Sequence, residues 1–188
     1  MGSGAGSSSN LDVVTQLALS ARDGDAVALD GLVRATQADV WRCCAHLVDA
    51  DAADDLTQET YMRLVRALSR FRGDASGRTY VLSIARRVCA DEIRRRTRSR
   101  ALTNRLRRRR VVVHEVDGAT AGALEDLVDA LDADRRAAFV LTQLLGLSYE
   151  EAADVCDCAV GTIRSRVSRA RQILIDALHD TVERVGNA

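Results

Sequence analysis

The side chains with the clearest chemistry to perform lie between Cys158 and Ile175, a stretch with four Arg and no acid. Val160, Ile163, Val167, Ala170 and Leu174 recur at spacings of three and four, which makes one apolar stripe of a helix. At ~100° per residue, Thr162, Ser165, Ser168, Arg169 and Gln172 point away from that stripe, with Arg164, Arg166 and Arg171 on its flanks. An outward face of this kind suits duplex DNA: small hydroxyls reach base edges, and guanidinium groups hold phosphates or bond guanine in pairs. Just upstream, Ser148 and Glu151 have the S-x-x-E spacing of a capping box, which starts a short helix from Tyr149 to Cys156. Asp157-Cys158-Ala159 then forms the turn. The first helix carries Glu150, Glu151 and Asp154, followed by Asp157, so it faces away from DNA. The whole reads as a helix-turn-helix.

Other reactive residues carry less. Cys43, Cys44 and His46, and likewise Cys156 and Cys158, lack the two-to-four-residue spacing of a closed zinc site. Neither His114 nor His179 has a catalytic partner nearby in sequence, and no phosphate loop, catalytic triad or H-E-x-x-H string occurs. The expectation is a protein that is not an enzyme, with no cofactor, no metal and reduced buried thiols.

The elements that must position these groups follow from composition. Apolar residues make up 47% of the 188 and aromatics only 3%, so Leu, Val, Ile and Ala must build the core. With no proline and no alternating pattern, the chain is expected to be all-α. Formal charge is zero, yet all 27 basic residues are Arg and they cluster. Twelve lie between Arg86 and Arg110, against Asp91 and Glu92 alone, whereas Leu11 to Glu59 carries three Arg and ten acids. Such asymmetry points to one surface that meets nucleic acid. Residues 1–10 read as a Gly/Ser-rich disordered tail, without the apolar segment of a signal peptide, and no run is long enough for a membrane span. A cytoplasmic location is expected. Helical periodicity recurs from residue 11 to 97, with breaks at Asp23-Gly24-Asp25, Asp49-Ala50-Asp51 and the RFRGDASG loop from Arg70 to Gly77. It fails from 98 to 122, read as a flexible basic linker, and returns from 123 to 188. The expected architecture is therefore two small helical domains, of four helices and of helix-turn-helix type.

The string GLSYEEAADVCDCAVGTIRSRVSRAR resembles the promoter-reading helix-turn-helix of the extracytoplasmic-function (group 4) sigma factors of bacterial RNA polymerase. DDLTQETYMRLVRAL, from Asp54, is similar to that family's polymerase-binding helix, and FRGDASGRTYVLSIARRVCADEIRRR, from Phe71, to its −10-reading segment. The three motifs stand in the family's order. The resemblance implies a dissociable initiation subunit that joins core polymerase, recognises −10 and −35 elements and promotes melting. Asp55, Gln58, Glu59 and Arg63 would contact the clamp helices of the largest subunit, and the second domain the flap region. Phe71, Ser76, Arg78, Thr79, Tyr80, Arg86, Arg87, Asp91, Arg94 and Arg95 would serve the −10 element, Tyr80 as a stacking ring and the Arg as phosphate clamps. Thr162, Arg164, Ser165, Arg166, Ser168, Arg169 and Arg171 would read the −35 duplex. The linker would follow the polymerase's RNA-exit path, and an anti-sigma partner is left open. Relatives carry Trp where Tyr80 stands, Asn at Arg87, and Pro at Asp132 and Ala159. An ordinary helix-turn-helix repressor or activator, with an N-terminal helical dimerisation domain, is the alternative; it has no need of the motif pair from Asp54 to Arg96. A nucleic-acid-processing enzyme would need a site of clustered carboxylates or metal ligands.

Overall fold

Carboxylate and hydroxyl side chains start most of the helices. The computed structural model describes residues 12–107, 128 and 131–186. Asp12 caps α1 (Val13–Arg22), Asp25 caps α2 (Ala26–Leu47) and Asp49 caps α3 (Ala50–Ala67), each accepting from backbone N–H groups of the first turn. In the second block Asp132 caps α5 (Ala133–Phe139) and Ser148 caps α6 (Tyr149–Cys156). Each such cap is worth about 1 kcal/mol over alanine. The two remaining helices are α4 (Gly77–Arg107) and α7 (Val160–Gly186).

The first block is four helices, α1 to α4, around a core that includes Leu32, Val40, Leu64, Val81 and Leu82, all fully buried. The start of α4 is braced against α1. Thr15 Oγ donates to Asp12 (2.5 Å) and accepts from the Gly77 N–H (2.7 Å). A Cβ at Gly77 would lie 2.6 Å from the Val14 carbonyl oxygen, so only glycine lets the two backbones meet.

In the second block α5 runs into a π turn at Val140–Leu144, closed by Leu145 N–H on the Val140 carbonyl (2.9 Å) and ended by Gly146 at φ 69°. The capping box at Ser148 and Glu151 is present in both directions. Asp157, at φ 52°, turns the chain from α6 towards α7.

Two features depart from the expected layout. Helix α4 does not end near Thr97 but continues to Arg107, ten residues into the segment read as linker; 108–122 lies outside the described residues, as does the tail at 1–10. The two blocks also do not stand apart. Helix α4 packs on α6, and α2 touches α5 and the π turn, so buried residues of both blocks form one cluster.

Candidate nucleic-acid interface

Helix α7 is held by the stripe its spacing predicts. Ile163, Val167, Ala170 and Leu174 are buried against α5 and α6. Burying an Ile or Leu in this way stabilises by about 2 kcal/mol, which fixes the rotation of the helix. The opposite face is consequently outward: Arg164, Ser165, Ser168, Arg169 and Arg171 are exposed, and Thr162 is half-buried. Arg164 and Arg169 take no ion pair among the described residues. Arg171 donates to the Gln143 amide oxygen (2.6 Å). Arg166 is drawn in by Asp134 and lies 3.7 Å from the Cys158 sulfur, so it braces the turn as well as flanking the reading face.

The residues expected at the −10 element are spread over two environments. Phe71 is buried at 3% exposure, and its ring meets that of Tyr80 at 4.7 Å between centroids. The Tyr80 hydroxyl donates to the Ala67 carbonyl (2.9 Å), and burial raises its pKa. Tyr80 is therefore built into the wall of the block rather than presented as a free stacking ring. Thr79 is buried too, and Ser76 Oγ accepts from its N–H (3.1 Å), capping α4. Arg87, Arg94 and Arg95 are exposed along α4. Arg94 rests on Asp91 (2.5 Å) and Arg95 on Glu92 (2.7 Å).

Arg78 and Arg86 face the second block instead. Arg78 bonds Asp39 through Nε (2.7 Å) and donates Nη2 to the Leu145 carbonyl (2.6 Å). Arg86 Nη2 lies 3.8 Å from Asp134, the acid that also holds Arg166. One carboxylate thus sits between a cation of α4 and a cation of α7. Neither Asp39 nor Asp134 is distinguished by its sequence neighbourhood, since both roles come from contacts more than thirty residues away.

On α3, Asp55 and Gln58 are exposed, and Glu59 and Arg63 half-buried. Met62 (51% exposed) and Val65 (56% exposed) lie on the same outward side. The polar emphasis of the sequence reading passed over these two apolar side chains, exposed beside acids on one helix face. Periodicity could have found them, because both lie off the buried stripe of Leu56, Thr60 and Leu64.

Three of the five cysteines are set apart from these surfaces. Cys43, Cys44 and Cys89 are buried together in the first block, where contact with neighbouring thiols and burial push Cys44 and Cys89 far above the usual thiol range. Among the described residues no group of His, Cys, Asp or Glu is arranged for a metal ion, and no helix is long and apolar enough to cross a membrane.

Two family models match the chain: Sigma-70 region 2 over residues 32–99, and Sigma-70, region 4 over 121–174. The probable RNA polymerase sigma-C factor of Mycobacterium bovis is 52% identical over 171 residues, covering 87% of this chain and 90% of that protein. The ECF RNA polymerase sigma factor EcfG of Rhodopseudomonas palustris is 33% identical over 146 residues, covering 70% of this chain and 74% of its own length. Among solved structures, the sigma factor RpoE of Bartonella quintana, in complex with the anti-sigma factor NepR, superposes with a TM-score of 0.66 at 28% identity. That match covers 80% of this chain and 96% of RpoE. CnrH, in complex with the cytosolic domain of CnrY, gives 0.69 at 26% identity over 90% of this chain and 99% of CnrH.

Proposed function

The chain belongs to the ECF sigma factors of the sigma-70 family, promoter-recognising subunits of RNA polymerase, and we propose the following division of labour among its residues. Residues 11–97 form the region 2 domain. Its α3 face, with Asp55, Gln58, Glu59 and Arg63, docks on the clamp helices of the largest polymerase subunit. Its α4, with Arg87, Arg94 and Arg95, holds the −10 strands. Residues 123–188 form the region 4 domain, in which Thr162, Arg164, Ser165, Arg166, Ser168, Arg169 and Arg171 read the −35 duplex. The observation that carries this assignment is the pair Arg164 and Arg169, exposed and without an ion pair among the described residues, beside Ser165 and Ser168 on a helix rotated by its buried stripe.

Sigma factors are initiation factors, and this one needs no chemistry of its own. Strand separation is driven by capture of unpaired bases, which repays the few kcal/mol of unstacking. The −10 pocket must be remodelled to do this, because Phe71, Thr79 and Tyr80 are packed inward. The two blocks must also part, since Arg78 and Arg86 meet the second block where DNA would lie. We place the protein in the cytoplasm with its polymerase. The anti-sigma complexes of its structural neighbours support a protein partner of the same kind here.

In vitro transcription tests the reading. Purified protein added to core polymerase should start transcripts at a promoter with matched −10 and −35 elements. Tight binding to a palindromic duplex with no affinity for core polymerase would replace this reading with that of an ordinary repressor.

A further inference from the structure

A chain of ion pairs crosses the first block between the two surfaces assigned above. On α3, Arg63 Nε donates to Glu59 one turn back (2.6 Å), and Nη1 donates to Asp91 on α4 (2.6 Å). The other oxygen of Asp91 accepts from Arg94 (2.5 Å). The order is Glu59, Arg63, Asp91, Arg94, with charges alternating from the docking helix to the strand-holding helix. Glu59, Arg63 and Asp91 line a surface groove between α3 and α4, with Leu56, Val88 and Glu92. Arg63 and Arg94 together hold the Asp91 carboxyl below the usual carboxylate range.

Asp91 is one of the two acids in the Arg-rich window of α4 and lies beside cations meant for phosphate. Both oxygens of its carboxylate are engaged by guanidinium groups, Oδ2 by Arg63 and Oδ1 by Arg94, so its position is set by two cations on two helices. We infer that Asp91 is a positioning residue rather than a DNA-reading one, and that with Arg63 it couples polymerase docking to the set of Arg94 on the DNA face; this rests on the surface assignments proposed above. Polymerase groups that engage Glu59 or Arg63 change the hold on Asp91, and the same linkage acts in reverse from DNA. Arg63 spans two carboxylates at once through separate nitrogens of its planar guanidinium, a fixed geometry that the single nitrogen of a lysine does not supply.

The test is a double-mutant cycle on the full-length protein with Arg63→Met, Asp91→Asn and the pair, each confirmed folded by thermal melting. Affinity for core polymerase and promoter opening by the saturated holoenzyme are read separately. Asp91→Asn should weaken core binding although it lies on the DNA helix, and Arg63→Met should slow opening although it lies on the docking helix. Each effect is expected at roughly two- to fivefold, the scale of part-exposed ion pairs, with the pair no worse than the stronger single variant. Base preference at the −10 element should stay unchanged in Asp91→Asn. Wild-type core affinity in Asp91→Asn, additive effects, or an altered base preference would each overturn the inference. Gln58→Ala serves as the reference for docking. If it weakens core binding while Asp91→Asn does not, the coupling alone is wrong; if neither does, the α3 assignment falls and the coupling with it.

Discussion

At the scale of single residues, the molecule is organised by short polar side chains at helix starts. Asp12, Asp25, Asp49, Asp132 and Ser148 each satisfy N–H groups that the first turn leaves unpaired. Asp132 supplies a side-chain cap, and Ala159 offers its carbonyl to Thr162 (2.8 Å). A chain without proline can therefore start its helices firmly. Ser148→Ala, which removes one arm of the capping box, should lower stability by about 1 kcal/mol in urea unfolding; an unchanged midpoint would show that the box contributes nothing. Asp49 carries a second duty, since Arg96 holds its carboxyl below the usual value while it caps α3. Because the folded value is the lower one, this contribution is complete above the unfolded pKa, near 4. It disappears as pH falls through the folded pKa. Unfolding midpoints should thus be level from pH 7 to 5 and drop below about 4, with a shallower drop in Asp49→Asn. The Ser148 cap was legible in the sequence because it joins residues three apart, whereas Asp49 showed there only as a break in the helical pattern. The Arg78 bond to Leu145, across 67 residues, was not legible, since nothing local to either residue foretells it.

At the scale of elements, two helices show what periodicity can and cannot reveal. The buried stripe of α7, Ile163, Val167, Ala170 and Leu174, follows the expected spacing, with Val160 half-buried at its start, and the outward face follows from it. Arg169→Ala should weaken binding to a −35 duplex by roughly tenfold, and should reduce the slope of log affinity against log salt by about one if the contact is to phosphate. Unchanged affinity in fluorescence anisotropy would remove Arg169 from the interface. Helix α4 is the counter-example. Its apolar pattern stops near Ile93, so the sequence reading stopped it near Thr97. Arginine is nevertheless a good helix former, and a helix already nucleated by packed turns extends one residue at a time at little cost. The inward packing of Tyr80 was equally invisible, because an aromatic on a helix reads the same whether it stacks on a base or on Phe71.

At the scale of the whole molecule, the join between the blocks dominates. It combines apolar packing of α4 on α6 with polar contacts from Arg78 and Arg86. Arg78→Ala should loosen it: amide exchange at 145–147 should speed by roughly tenfold, the scale of one hydrogen bond from a charged donor, while α1 to α3 exchange as before. Equal protection in the variant would mean that apolar packing alone closes the molecule.

The unbroken run of α4 to Arg107 also sets a length. A helical residue advances 1.5 Å, whereas an extended one spans about 3.3–3.6 Å, so the 31 residues of α4 carry the chain only about 46 Å, but along one axis. Arg87 and Arg94 are thereby held about 10.5 Å apart along that axis, a spacing the backbone fixes before any partner arrives.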